Sequence, residues 1–198
     1  MQRTMRGKRV VFFSTPAKGH VNAVYPVLRA LARAGVQVDW YCTEQYRGLI
    51  ERCGAAWHSY RIDFSRYRLE ELTADFYRLY RGLLKLNRAC YFDYILEVEA
   101  NPPDVILYDS MCSFAKNIAK KLGIPSVCLC TTLAYNLPTL VFSNLFWPSL
   151  TLSLRHATEL MRLTRKEQCF RRREGLSRFA PLDLFVNRGD KTLVFSPP

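Results

Sequence analysis

One continuous apolar run, followed by an amphipathic segment and a second strand-like run, constrains this chain more than any other feature. "VVFF" sits inside the first run, Lys8 to Ser14, and the second spans Val36 to Thr43. A strand that is apolar at every position is covered on both faces, and that is the signature of a parallel sheet. Between the runs, Val21, Val24, Tyr25, Leu28, Leu31 and Ala32 recur at helical spacing, and Gly35 closes the segment. Strand, helix, strand within some three dozen residues is a βαβ unit. The pattern continues. A short helix through Ile50 to Cys53 is followed by a strand at Ala55 to Tyr60, then by two helices or one broken one over Leu69 to Ala100. Asn101-Pro102-Pro103 stops that region. Strands at Asp104 to Tyr108 and Pro125 to Cys130 flank a helix from Cys112 to Leu122, closed by Gly123. A basic helix over Leu152 to Leu176 and a short strand at Lys191 to Phe195 complete the order. The expectation is an α/β, doubly wound parallel sheet in one domain spanning residues 1–198.

Composition narrows what such a fold can do. Hydrophobic residues make up 49% and charged residues 23%, which supplies a sizeable core. The net charge is +12. The excess is dispersed over Arg3, Arg6, Lys8 and Arg9 and between Arg155 and Arg178, with no nucleic-acid-binding motif beside it. It reads as a solvated basic face, with a membrane or polyphosphate contact through Arg171-Arg172-Arg173 as the sharper alternative. The seven cysteines form no CxxC pair and follow no signal peptide, so reduced thiols and a cytoplasmic location are expected. Thr131 to Leu154 carries no charge. It is long enough to span a bilayer, but Pro138, Pro148, Asn136 and Asn144 interrupt it, and it reads as the lining of a buried cavity.

Ligands of a doubly wound sheet bind beyond the carboxyl ends of the strands, where the strand order reverses. Two residues fall there. His20 follows the first strand and Asp109 follows the fourth, in "VILYDS". A neutral imidazole accepts a hydroxyl proton, and a carboxylate on its other nitrogen fixes the tautomer and stabilises the imidazolium. The simpler alternative is that each side chain caps its own helix. Ser14, Thr15, Lys18 and Gly19 share the first loop, which matches neither a Walker loop nor a GxGxxG loop. His58 and His156 read as structural, packed beside a strand and exposed on the basic helix respectively. Asp93, Glu97 and Glu99 lack metal-ligand spacing with histidine, and no metal site is expected.

The stretch "FFSTPAKGHVNAVYPVLRALARAGVQVDWYCTE", with Gly19, His20, Asn22 and Pro26, resembles the opening of family 1 glycosyltransferases, above all the bacterial macrolide-type branch. "PPDVILYDSMCSFAKNIAKKLGIPSVCLCTT" resembles the second landmark of that family, and "KTLVFSPP" the last part of the same domain. The resemblance implies the Rossmann-like N-terminal, acceptor-binding half of a GT-B fold. It implies inverting, metal-independent transfer of a sugar from a UDP- or dTDP-sugar to a hydroxyl of a small lipophilic acceptor. No cofactor is implied, since the nucleotide-sugar is a co-substrate. His20 would be the base and Asp109 its support. Ala17, Lys18 and Gly19 would approach the donor, and Met111, Phe114, Asn136, Leu137 and Phe142 would wall the acceptor pocket. The C-terminal nucleotide-sugar domain has no counterpart in these residues, so a missing C-terminal domain or a partner chain would have to supply it, and transfer by this chain alone is not expected. The alternative is a non-catalytic, ligand-binding half of a two-chain enzyme. No nucleic-acid partner is expected, and a membrane surface is the less favoured one.

Overall fold

The computed structural model describes residues 5–64, 76–131, 156–179, 184 and 189–195. The strands are β1 (Arg9–Phe13), β2 (Gln37–Cys42), β3 (Ala56–Ser59), β4 (Val105–Asp109), β5 (Ser126–Cys130) and β6 (Lys191–Val194). The helices are α1 (Lys18–Arg33), α2 (Arg47–Cys53), α3 (Phe76–Ala100), α4 (Ser113–Leu122) and α5 (Ala157–Arg173). All six strands are parallel, in the order β3-β2-β1-β4-β5-β6. The order reverses between β1 and β4, as the Rossmann-like expectation requires. Over Leu69 to Ala100 the described part is one helix from Phe76. The basic helix is shorter than its sequence pattern suggested, beginning at Ala157 among the described residues and stopping at Arg173 before Gly175, whose φ is +69°.

The period-two alternation of the strands explains the two-sided core. Val11 and Phe13 join Ile106, Tyr108 and Cys128 on the face covered by α3 and α4. Val10 and Phe12 join Trp40, Leu107 and Leu129 on the face covered by α1 and α2. α1 sets Val21, Val24 and Leu28 into that second face, each 0% exposed. Burial of each such side chain contributes on the order of 1.5–3 kcal/mol.

The amino-terminal ends of the strands are stitched by charge. Arg9 donates from its backbone N–H to Asp104, from Nε to Asp39 at 2.7 Å, and from Nη1 to the Asn101 carbonyl. Lys8 pairs with Asp104 at 2.6 Å. Lys8 and Arg9 are therefore structural cations rather than part of a free basic face. At the other sheet edge, Asp190 accepts from both the backbone N–H and the hydroxyl of Ser126, which anchors the entry to β6 beside β5. Cys128 is fully buried and Cys130 partly so, while Cys169 is exposed.

Candidate active site

The carboxyl ends of β1 and β4 place His20 and Asp109 against each other. α1 begins at Lys18, three residues earlier than its apolar pattern alone suggested, because Ala17 already holds the extended backbone of an N-cap. His20 therefore stands in the first turn of the helix, and Asp109 is the last residue of β4. No side chain caps α1 or α4. The imidazole instead spans the crevice, with Nδ1 2.7 Å from Asp109 Oδ2.

Asp109 is fully buried, and four donors surround it. The Thr15 hydroxyl at 2.8 Å and the Met111 backbone N–H at 3.0 Å point at Oδ1. The Thr131 hydroxyl at 2.7 Å and His20 Nδ1 share Oδ2. A carboxylate accepts only, so the proton in the pair with His20 belongs to Nδ1. Thr131 Oγ1 also lies 2.7 Å from Nδ1, and it can accept a share of that proton while giving its own to Asp109. The tautomer follows: Nε2 carries the lone pair. Nε2 makes no hydrogen bond to any described residue, and the side chain is 17% exposed. The group is placed to accept a proton from outside the protein.

The loop between β1 and α1 divides in two. Ser14 belongs to the core: it accepts from Trp40 Nε1, donates to the Tyr41 carbonyl, and its own carbonyl accepts from Tyr60. Beyond the half-buried Ala17, Lys18 and Gly19 are exposed, and a Cβ added to Gly19 meets nothing within 4 Å. Open space therefore lies in front of that backbone.

Met111 and Phe114 stand on the far side of the crevice. With Thr15, Tyr60 and Asn87 they line a cavity of about 20 Å³, which is room for a single water. Phe114 is 3% exposed and packs its ring edge-on to Phe13 at 5.0 Å, so it is core. Asn136, Leu137 and Phe142, with the rest of residues 132–155, lie outside the described residues.

Cys112 is the nearest thiol, 3.8 Å from the Thr15 hydroxyl. Burial pushes its ionisation well above the ordinary thiol value, with the Asp109 charge adding to the effect, so it stays a thiol and is no nucleophile. Among the described residues no group of three or more His, Cys, Asp or Glu could hold a metal ion. His58 stacks on Tyr41 and contacts Asp39, as a packed strand histidine does. His156 differs from expectation: it precedes α5 and stacks on Tyr77 at 4.4 Å instead of standing in solvent.

Thr131 and Asn87 were not singled out from the sequence, and Thr15 was named only as part of the first loop. Thr131 carries a signal in hindsight, since it is the first residue past β5, the strand beside β4. Asn87 interrupts the apolar stripe of α3. Its Nδ2 donates to the Leu83 and Met111 carbonyls, and its Oδ1 accepts from Phe114 N–H. It pins the turn that carries Asp109 into α4.

No protein-family model matches the chain. It is 28% identical over 144 residues to the NDP-glycosyltransferase YjiC of Bacillus licheniformis, a match covering 67% of this chain and 35% of that protein. It is 28% identical over 139 residues to 4'-demethylrebeccamycin synthase of Lentzea aerocolonigenes, covering 64% and 33%. Among solved structures it is similar to the calicheamicin glycosyltransferase CalG4, with a TM-score of 0.73, 20% identity, and coverage of 96% of this chain and 48% of that one. The spinosyn forosaminyltransferase SpnP gives a TM-score of 0.60 at 18% identity, with 95% and 46% covered. The chain thus spans about a third of the curated relatives and about half of the solved ones.

Proposed function

We propose, for a chain related to the NDP- and UDP-glycosyltransferases and built as one Rossmann-like half of their GT-B fold, that it supplies the acceptor site and the general base for sugar transfer. The carrying observation is the 2.7 Å contact between His20 Nδ1 and Asp109, which leaves Nε2 without a described partner. In the proposed step Nε2 takes the proton of an acceptor hydroxyl. The oxygen attacks the anomeric carbon from the face opposite the nucleotide. The carbon–oxygen bond to the nucleoside diphosphate breaks with its electron pair, and the configuration inverts. Asp109 holds the imidazolium that forms. General-base assistance of this kind is worth roughly two to four orders of magnitude in rate.

The donor is a nucleotide-sugar and the acceptor a small lipophilic alcohol or phenol, with Lys18 and Gly19 facing the donor. No metal takes part in the proposed step. A cytoplasmic location belongs to the same reading and is supported by a cysteine set of odd number with no CxxC pair. Among the described residues no helix is long and apolar enough to cross a membrane.

The test is His20→Ala, assayed for transfer in the presence of a nucleotide-sugar-binding half and, separately, for acceptor binding by quenching of the intrinsic tryptophans. Loss of transfer with acceptor binding retained is expected. Turnover near the unaltered level would sink the base assignment. Saturable acceptor binding without transfer, in the unaltered chain with its donor-binding half supplied, would favour the non-catalytic reading instead.

A further inference from the structure

Away from the crevice, α3 and α5 lie side by side and run in the same direction. Tyr80 meets Thr164, Arg88 meets Glu167 at 2.8 Å, and Tyr91 meets Glu174 at 3.0 Å, so the contacts climb both helices together. The inner seam is closed. Glu167 is 4% exposed and accepts from both Arg88 and Arg171, and the Arg88 guanidinium lies 4.9 Å over the Phe170 ring. Of the Arg171-Arg172-Arg173 run, Arg171 is therefore buried and paired rather than solvated.

The outer side of the same seam is open. A groove of about 820 Å³ runs along it, lined among others by Phe92, Met161, Arg162, Arg165, Lys166 and Arg173. Phe92 is 53% exposed, Met161 54%, and Leu96, one turn beyond Phe92, 71%. These are large apolar side chains held outward among cations. None of the four cations has a hydrogen bond or ion pair with a described residue, while the nearby Glu174 is taken by Tyr91 and Lys121.

We propose that this face docks on an anionic phospholipid surface. Charge complementarity selects a polyanion, and the apolar tips select among polyanions. Leu96 and Met161 carry no charge and no hydrogen-bond donor to read a base or a peptide backbone, and with the Phe92 ring they match acyl chains at the headgroup boundary. The cations then lie at phosphate level, where each is worth about a fivefold change in partitioning. The inference stands on the groove alone and does not depend on His20 acting as a base.

The experiment is co-sedimentation of the full chain with vesicles of phosphatidylcholine alone and with vesicles of equal parts phosphatidylcholine and phosphatidylglycerol. Binding to the second and not the first, weakened as salt is raised, is expected. The variant Arg162→Gln/Arg165→Gln/Lys166→Gln should bind about a hundredfold more weakly while keeping its helical circular dichroism. Leu96→Ser/Met161→Ser should also bind more weakly at a fixed salt concentration. Absence of binding to the anionic vesicles overturns the proposal, as does unchanged binding by the charge variant. Competition by soluble polyglutamate, combined with no effect of Leu96→Ser/Met161→Ser, overturns it too and points to an acidic protein partner.

Discussion

Thr131→Val removes one hydroxyl donor from Asp109 and leaves the side-chain volume nearly unchanged. Asp109 then keeps Thr15, Met111 and His20 as partners, so the fold should survive while the imidazole loses one of its two restraints. Under the proposed chemistry the transfer rate should fall about fivefold to tenfold, the worth of one such hydrogen bond, with acceptor affinity unchanged. Asp109→Asn should cost more than that but less than His20→Ala, and an equal or larger loss would give Asp109 a different job, such as gripping the sugar. The thiols give a readout that needs no assay of activity. Burial pushes Cys90 and Cys128 up to about 12, and it raises Cys112 well above its ordinary value. Cys169 is exposed. In the folded protein at mildly alkaline pH, a maleimide should modify Cys169 first and leave Cys90, Cys112 and Cys128 intact, as peptide mass mapping would show. At this scale the sequence disclosed His20 and Asp109 because each sits at the end of a readable strand. Thr131, and the bond Thr15 makes to Asp109, were hidden for a physical reason: a lone hydroxyl carries no charge, no period and no spacing rule, and its role exists only once three strand ends converge.

Asn87 and Glu167 are where α3 is tied to its neighbours, and the two ties should break differently. Asn87→Ala leaves the Phe114 N–H and the Met111 carbonyl without their buried partner. A loss of roughly 1–3 kcal/mol is expected in urea unfolding. Glu167→Ala strands a guanidinium, since Arg171 is 4% exposed. Removal of one member of a buried pair costs roughly 3–5 kcal/mol, so this variant should be the less stable of the two. Replacement of both Glu167 and Arg171 by methionine should recover only part of the loss, because Arg88 still lacks the carboxylate it bonds. The existence of every described helix and strand was legible in the apolar periodicity; their ends were less so. α1 starts before its first apolar residue because Ala17 takes the N-cap conformation with no capping side chain to announce it. The partition of the basic run, with Arg171 inward and Arg173 outward, depends on what lies beneath the helix, and the sequence of the helix does not contain that information.

Across the whole molecule, strong acid should loosen the floor of the sheet. The Lys8 ammonium, and then the Arg9 backbone N–H, hold the Asp104 carboxyl below its ordinary value. A carboxyl depressed in the folded state adds stability above its unfolded value, and that stability is lost as the pH falls through the folded one. Asp104→Asn should therefore be less stable than the unaltered chain at neutral pH and converge with it in acid. Because the pair is exposed, high salt should shrink the difference. The strand order and the switch point between β1 and β4 could be anticipated from alternation and the handedness of crossovers, and the sheet follows them. The way the sheet ends could not. Every residue of β6 is exposed, with Leu193 at 48% and Val194 at 49%, although its pairing with β5 is regular. No described residue pairs with its outer edge. Such a margin is a template. Left without a cover, one copy can extend the sheet of another, so handling at high concentration becomes a question of assembly rather than of stability. Leu193→Lys should blunt that margin, seen as less self-association at high concentration by sedimentation velocity.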